Sequence, residues 1–142
     1  MDEMRQYWVA TLADADFDVA DAYSVAITTP ASGSYRLRVD GYATTVCTEV
    51  WYEGATISVA GTALTWRSVE RSDALEDASH AVSAEYGGTY STVGSTTLVS
   101  KVTDDTHSVE LGLKPSTIYL VTFTSKADNN AASLRLTLSK RR

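Results

Sequence analysis

The sequence predicts an all-β fold: an antiparallel β-sandwich of jelly-roll type with about eight strands, an N-terminal arm and at most one short helix. Three observations carry that expectation. Apolar and polar residues alternate with period two over most of the chain, as where Tyr35, Leu37 and Val39 interleave with Arg36, Arg38 and Asp40. Turn signals such as Thr29-Pro30-Ala31-Ser32-Gly33, Asp40-Gly41 and Lys114-Pro115 recur at the spacing of short strands. Ser and Thr make up roughly a quarter of the residues, Val and Tyr are plentiful, and no βαβ rhythm competes.

At 142 residues and 44% hydrophobic content, the chain suffices for one packed domain. We divide it into an arm, residues 1–21, and a sandwich domain, residues 22–142. Twelve basic against 18 acidic residues leave a net charge of -6, which argues against nucleic acid or an anionic membrane as partner. Cys47 is the single cysteine, so no internal disulfide is expected and packing must hold the fold. Met1 to Gln6 lead into no apolar signal segment, and no run is long enough to cross a bilayer, so a soluble protein is expected.

The arm carries Tyr7, Trp8, Val9, Leu12 and Phe17 among Asp14, Asp16, Asp18 and Asp21. Asp14-x-Asp16-x-Asp18 opens like a calcium loop, but Val19 and Val25 stand where that loop needs Gly and Glu, so no metal is expected. Tyr23, Val25 and Ile27 begin the first clean strand, and Tyr35 to Asp40 form the next. Asp40-Gly41 then predicts a type I′ hairpin turn. From Thr44 to Tyr52 one face carries Val46, Val50 and Tyr52 and the other Cys47, Glu49 and Trp51. Both faces are apolar at Trp51, which predicts burial by the second sheet and by something else, such as another subunit. Cys47 is expected to be a buried small hydrophobe.

Thr56 to Val59 and Thr62 to Val69 read as strands, and Ser68 to Ser95 holds either a short helix opened by Asp73 and running to Val82 or a long loop with Gly87-Gly88 near its end. Tyr52, Gly54, Val59, Thr62 and Leu64 are echoed at constant offset by Tyr86, Gly88, Val93, Thr96 and Leu98. After a strand from Thr96 to Thr103, Asp104-Asp105-Thr106-His107 reads as a turn. Val109 to Ser125 forms a hairpin stiffened by Pro115, with Tyr119, Val121 and Phe123 on a core face. Ile118 and Leu120 start the opposite face, which becomes wetter at Thr122 and Thr124. The last strand turns Ala132, Leu134, Leu136 and Leu138 inward.

Signals of chemistry are absent. His80 and His107 have no companions at metal-ligand spacing, there is no nucleophile elbow, and no glycine-rich phosphate loop precedes a helix. The reading is of a protein that is not an enzyme and uses no cofactor.

Two stretches resemble a known family. Tyr52-Glu53-Gly54-Ala55-Thr56-Ile57-Ser58-Val59-Ala60-Gly61-Thr62-Ala63-Leu64-Thr65 is similar to a segment of small proteins encoded beside the major capsid protein of tailed bacteriophages. Leu113-Lys114-Pro115-Ser116-Thr117-Ile118-Tyr119-Leu120-Val121 resembles a second segment of those proteins, and Asn129-Asn130 before the closing strand resembles their C-terminus. The order and spacing of these pieces match from Ala22 to Leu138. The run Trp66-Arg67-Ser68-Val69-Glu70-Arg71 and the ending Lys140-Arg141-Arg142 depart from the pattern.

The resemblance implies a capsid decoration, or cement, protein: a β-sandwich that sits on the outer capsid surface of the virion as a homo-oligomer, commonly a trimer, after assembly in the host cytoplasm. Its partner would be the major capsid protein. Candidate capsid or subunit contacts are Tyr7, Trp8, Phe17, Trp51, Trp66, Arg67 and Arg71. The alternative is a glycan-binding sandwich module on a virion or cell surface, stacking sugars on exposed Trp or Tyr.

Overall fold

The alternating pattern folds into eleven antiparallel strands, with no helix among the described residues. The computed structural model describes residues 5–17, 22–68, 82–126, 128 and 130–141. The strands are β1 (Arg5–Phe17), β2 (Ala22–Thr28), β3 (Tyr35–Glu53), β4 (Thr56–Val59), β5 (Thr62–Ala63), β6 (Arg67–Ser68), β7 (Ser83–Tyr86), β8 (Thr89–Ser91), β9 (Thr96–Leu113), β10 (Ile118–Ser125) and β11 (Asn130–Arg141). The span proposed as a short helix lies, up to Ala81, outside the described residues, as do His80 and Arg71.

One strand organises the rest. β3 is 19 residues long. Its first half, Tyr35 to Ala43, pairs with β11, and its second half, Cys47 to Glu53, pairs with β10. Along its other edge β9 runs opposite almost the whole length, from Tyr35 across from Leu113 to Glu53 across from Thr96. The neighbours then extend outward, β2, β7 and β5 beyond β10, and β1 and β6 beyond β11.

Two expected turns are therefore missing. The chain runs straight through Asp40-Gly41 and through Asp104 to His107, and both stretches are strand. The glycine has another use. Gly41 is paired with His107 of β9, and a Cβ added at Gly41 would run into the imidazole ring. Glycine is there to admit a ring, not to reverse the chain.

Between Ala43 and Cys47 the β3 register shifts, where the strand passes from β11 to β10. Asn130, fully buried, fills this junction. Its Oδ1 accepts hydrogen bonds from the Thr45 amide and the Thr44 hydroxyl, both at 2.9 Å. Its Nδ2 donates to Ser125 Oγ and Cys47 Sγ, both at 3.2 Å. The Ala131 amide donates to Thr44 Oγ1 at 2.9 Å and the Lys126 amide to Val46 O at 3.0 Å. Backbone groups freed by the bulge thus find partners within the chain, and so does the buried Asn130 carboxamide. Burial raises the Cys47 thiol pKa above its ordinary value, and the Asn130 amide opposes that only in part.

The sheet curls so that its halves share one core. Odd-numbered residues of β3 (Leu37, Val39, Cys47, Trp51) meet even-numbered ones of β11 and Val25, Ile27, Val121 and Phe123 of β2 and β10. The two ends of the sheet are joined through the chain itself. β5 pairs with β7 at one end, β6 pairs with β1 at the other, and Leu64–Trp66 spans between them. The Leu64 amide donates to Ala84 O at 2.9 Å and the Trp66 indole to Val82 O at 3.1 Å. The single strand expected over Thr62 to Val69 is broken to make this strap.

The expected arm is a strand. Residues Arg5 to Phe17 form β1, which pairs with β11 from Arg5 opposite Arg141 to Phe17 opposite Asn130. Trp8 is buried in the main core.

A second apolar cluster covers the outer face of the β2–β10–β3 half. Ala26, Leu120 and Ala55 are buried there with Tyr52, Ile118, Ile57 and Tyr90 packed against them. The cover is the β4–β8 pair, the strands of the two echoing segments. The second apolar layer at Trp51 and Tyr52 is supplied by this chain's own flap rather than another subunit.

Gly41→Ala is expected to destabilise the fold by about 2–3 kcal/mol, since the new methyl must displace a packed ring. In a His107→Ala background the cost of Gly41→Ala should fall by at least about half, read from urea denaturation of the four proteins of the cycle. Additive costs would show that the ring is not what excludes the methyl.

Candidate interaction surfaces

The two segments that carry the family resemblance meet in space. Glu53 ends β3, and the turn after it donates two amides to one carbonyl: Gly54 N to Ile118 O at 2.9 Å and Ala55 N at 3.1 Å. The Glu53 carboxylate accepts the Tyr119 hydroxyl at 2.9 Å and pairs with Lys114 Nζ at 3.1 Å. The Lys114 amide donates to Tyr119 Oη at 2.7 Å. On the other side, Thr29 Oγ1 donates to Lys114 O at 2.7 Å and accepts from the Thr117 amide at 3.0 Å, while the Ser116 amide donates to Pro30 O at 2.9 Å. Ser116, after Pro115, takes a left-handed φ of 51°, which closes the turn.

This cluster sets its own electrostatics. Lys114 beside Glu53, helped by the Tyr119 hydroxyl, holds the carboxyl pKa below the ordinary value, against a smaller opposing effect of burial. Burial pushes the Tyr119 phenol up, the Lys114 amide opposes it, and the Glu53 carboxylate adds to it. At neutral pH the arrangement is an ionised Glu53 held by a cation and a neutral phenol.

The predicted contact residues separate. Trp8, Trp51 and Trp66, all the tryptophans of the chain, are at most 5% exposed and belong to the core. They supply neither a contact surface nor a stacking platform for sugars. Tyr7 is half-buried and Arg67 exposed, Phe17 is placed as the last residue of β1, and Arg71 lies outside the described residues. Only Tyr7 and Arg67 of the seven are brought to a described, accessible surface, and they sit on neighbouring strands β1 and β6.

Among the described residues, the outside of the β9–β3–β11–β1 half holds two adjoining depressions of about 540 and 340 Å³ that share Asp40 and Arg135. Tyr42, Thr106, Ser108, Ser133 and Thr11 line the first, and Tyr7, Arg38, Glu110 and Thr137 the second. Arg38 Nε reaches Asp40 Oδ1 at 3.0 Å and Ser108 Oγ at 3.1 Å, and Arg36 approaches Glu110 at 3.7 Å. Tyr42 is 42% exposed at one end. Leu12, Gly41, His107 and Leu134 also line the first depression, so apolar surface mixes with hydroxyls, charge pairs and tyrosines, a combination that suits a macromolecular partner.

One polar group escaped sequence reasoning. Glu49 is fully buried; its Oε1 lies 2.8 Å from His107 Nε2, and its Oε2 accepts the Trp51 indole at 3.2 Å. The imidazole stacks on Phe123, with ring centroids 5.5 Å apart. Both carboxylate oxygens are engaged, so the group ties β3 to β9 inside the core. The signal available in the sequence was Gly41, but its link to His107 requires the register. Among the described residues no three His, Cys, Asp or Glu side chains gather as a metal site would need.

No protein-family model matches the chain, and no curated protein matches it.

Glu53→Gln should lower stability by on the order of 1 kcal/mol at neutral pH, since a charged hydrogen-bond acceptor becomes neutral. Because the folded carboxyl has a depressed pKa, its contribution is complete above the ordinary carboxylate range and is lost as pH falls through the folded value. Melting temperatures of the two proteins should therefore differ at pH 7 and converge in acid. A gap that widened on acidification would contradict the assignment.

Proposed function

We propose that the protein is a structural component of a tailed-bacteriophage head that binds the exterior of the assembled capsid and reinforces it. The observation that carries this reading is the joining of the two resembling segments. Residues Glu53 to Ala55 and Lys114 to Tyr119, far apart in sequence, share one cluster of hydrogen bonds and an ion pair. A resemblance made of chance matches has no reason to fall on two segments that form one unit of the fold.

The surface supports the same reading. The tryptophans and the buried carboxylate are spent on the core, and what remains outside is a broad face of hydroxyls, tyrosines and paired charges. Such a face fits a ligand that presents many copies of one folded surface, where modest contacts add up through repetition. The partner is the major capsid protein, and Tyr7, Tyr42 and Arg135 on the open face are its contact residues. Binding only to the assembled, expanded shell stabilises that state by mass action.

The test is to mix purified protein with undecorated, expanded heads and sediment them. Co-sedimentation that saturates, raises the temperature at which the heads fall apart, and weakens at least tenfold with Tyr42→Ala plus Arg135→Glu is the expected result. Protein left wholly in the supernatant would overturn the proposal.

A further inference from the structure

The outer groove holds one cation that the chain itself does not compensate. Arg36 approaches Glu110 at 3.7 Å, and Arg38 reaches Asp40 at 3.0 Å, so both acids that line the groove already face a guanidinium. Arg135 lies directly across from Asp40 in the pairing of β3 with β11, yet the carboxylate is taken by Arg38. Among the described residues Arg135 makes no hydrogen bond or ion pair, and it is exposed. It stands in the wall common to the two depressions. Hydroxyls surround it: Ser133 and Thr137 are its neighbours on the same face of β11, and Thr11 is opposite on β1.

The walls also limit how much charge a ligand can bring. Asp40 and Glu110 line the second depression, and the whole chain carries -6, so a phosphate, a nucleic acid or a run of acidic residues would meet repulsion. A single carboxylate asks for one cation and a few hydroxyl donors, which is what the groove offers. The planar fork of arginine matches a carboxylate in two parallel hydrogen bonds.

We propose that Arg135 receives the carboxylate of one Asp or Glu side chain on the major capsid protein, with the hydroxyls of Ser133, Thr137 and Thr11 around it. The larger depression beside it is lined by Leu12 and Tyr42 as well as hydroxyls, and it takes an apolar side chain next to that acid. The inference rests on the capsid reading and names the group that the open face recognises. An ion pair left in water is worth little, but one covered by a docked partner loses its solvent, and truncating it then costs more.

The experiment is co-sedimentation with undecorated, expanded heads over a salt series from about 50 to about 500 mM, a range that shortens electrostatic reach severalfold. Three proteins are compared, the parent, Arg135→Gln and Arg135→Lys, each checked for an unchanged circular dichroism spectrum. Parent affinity should fall steeply as salt rises. Arg135→Gln should bind about tenfold more weakly at low salt, with a flatter salt dependence, so that the two curves converge at high salt. Arg135→Lys keeps the charge without the fork and should fall between them. If no protein sediments with the heads, the capsid reading and this inference fall together. If the heads are decorated but Arg135→Gln binds like the parent, or is weaker by the same factor at every salt concentration, the carboxylate is overturned and the capsid reading stands.

Discussion

Asn130 is the residue on which the architecture turns. β3 has to serve two different neighbours along one edge, and it can do so only where β10 stops and β11 starts. That junction leaves Thr44 to Val46 outside the regular ladder, exposed on their outer side, while Cys47, Ser125 and Asn130 beneath them are buried and must find their partners within the chain. A single carboxamide, with an acceptor and donors on one short stem, serves the Thr45 amide, the Thr44 hydroxyl, Ser125 and Cys47 together. Aspartate would lack the donors and leucine all of the partners, so neither could hold the two half-sheets at the same angle.

From that junction the two halves take different outer surfaces. The β10 half is roofed by the β4–β8 flap over Tyr52, Ala26 and Leu120. Glu85 helps to fasten the flap: it accepts hydrogen bonds from the Gly61 amide and from the Tyr90 hydroxyl at 3.1 Å. A Cβ at Gly61 or at Gly88 would meet backbone of the facing segment, so the corner closes only with glycine at both. Among the described residues the β11 half has no such roof and carries Arg38, Asp40, Arg135 and tyrosines instead. The described residues thus finish one face with apolar cover and present charges and hydroxyls on the other, and β9 runs along both halves of β3.

Much of this was legible in the alternation of residues. Tyr119, Val121 and Phe123 face the main core, and Ile118 and Leu120 begin a second face that grows wetter at Thr122 and Thr124. Local signals misled where a long-range contact overrode them. Asp40-Gly41 has turn chemistry, yet the glycine answers to His107, 66 positions along the chain by difference of residue numbers. Asp104 to His107 reads as a polar turn because nothing in four residues reveals that a buried Glu49 waits for the imidazole. The tryptophans looked like contact residues because size and exposure cannot be separated in a sequence; pairing alone decides which side they face. The groove across four strands, with side chains from β1, β3, β9 and β11, has no linear signature.

The strap at Leu64–Trp66 has a consequence for the order of events in folding. It docks on Val82 and Ala84 at one end of the curled sheet and leads directly into β6 against β1 at the other. Neither landing place exists until β7 has joined β2 and β1 has joined β11, pairings between residues distant in the chain. Loop closure of that kind makes folding slow compared with helical proteins of equal size, on the order of milliseconds to seconds. Trp66 therefore acts as a latch across the curled sheet, its indole reaching Val82 on one side while the chain beyond it pairs with β1 on the other.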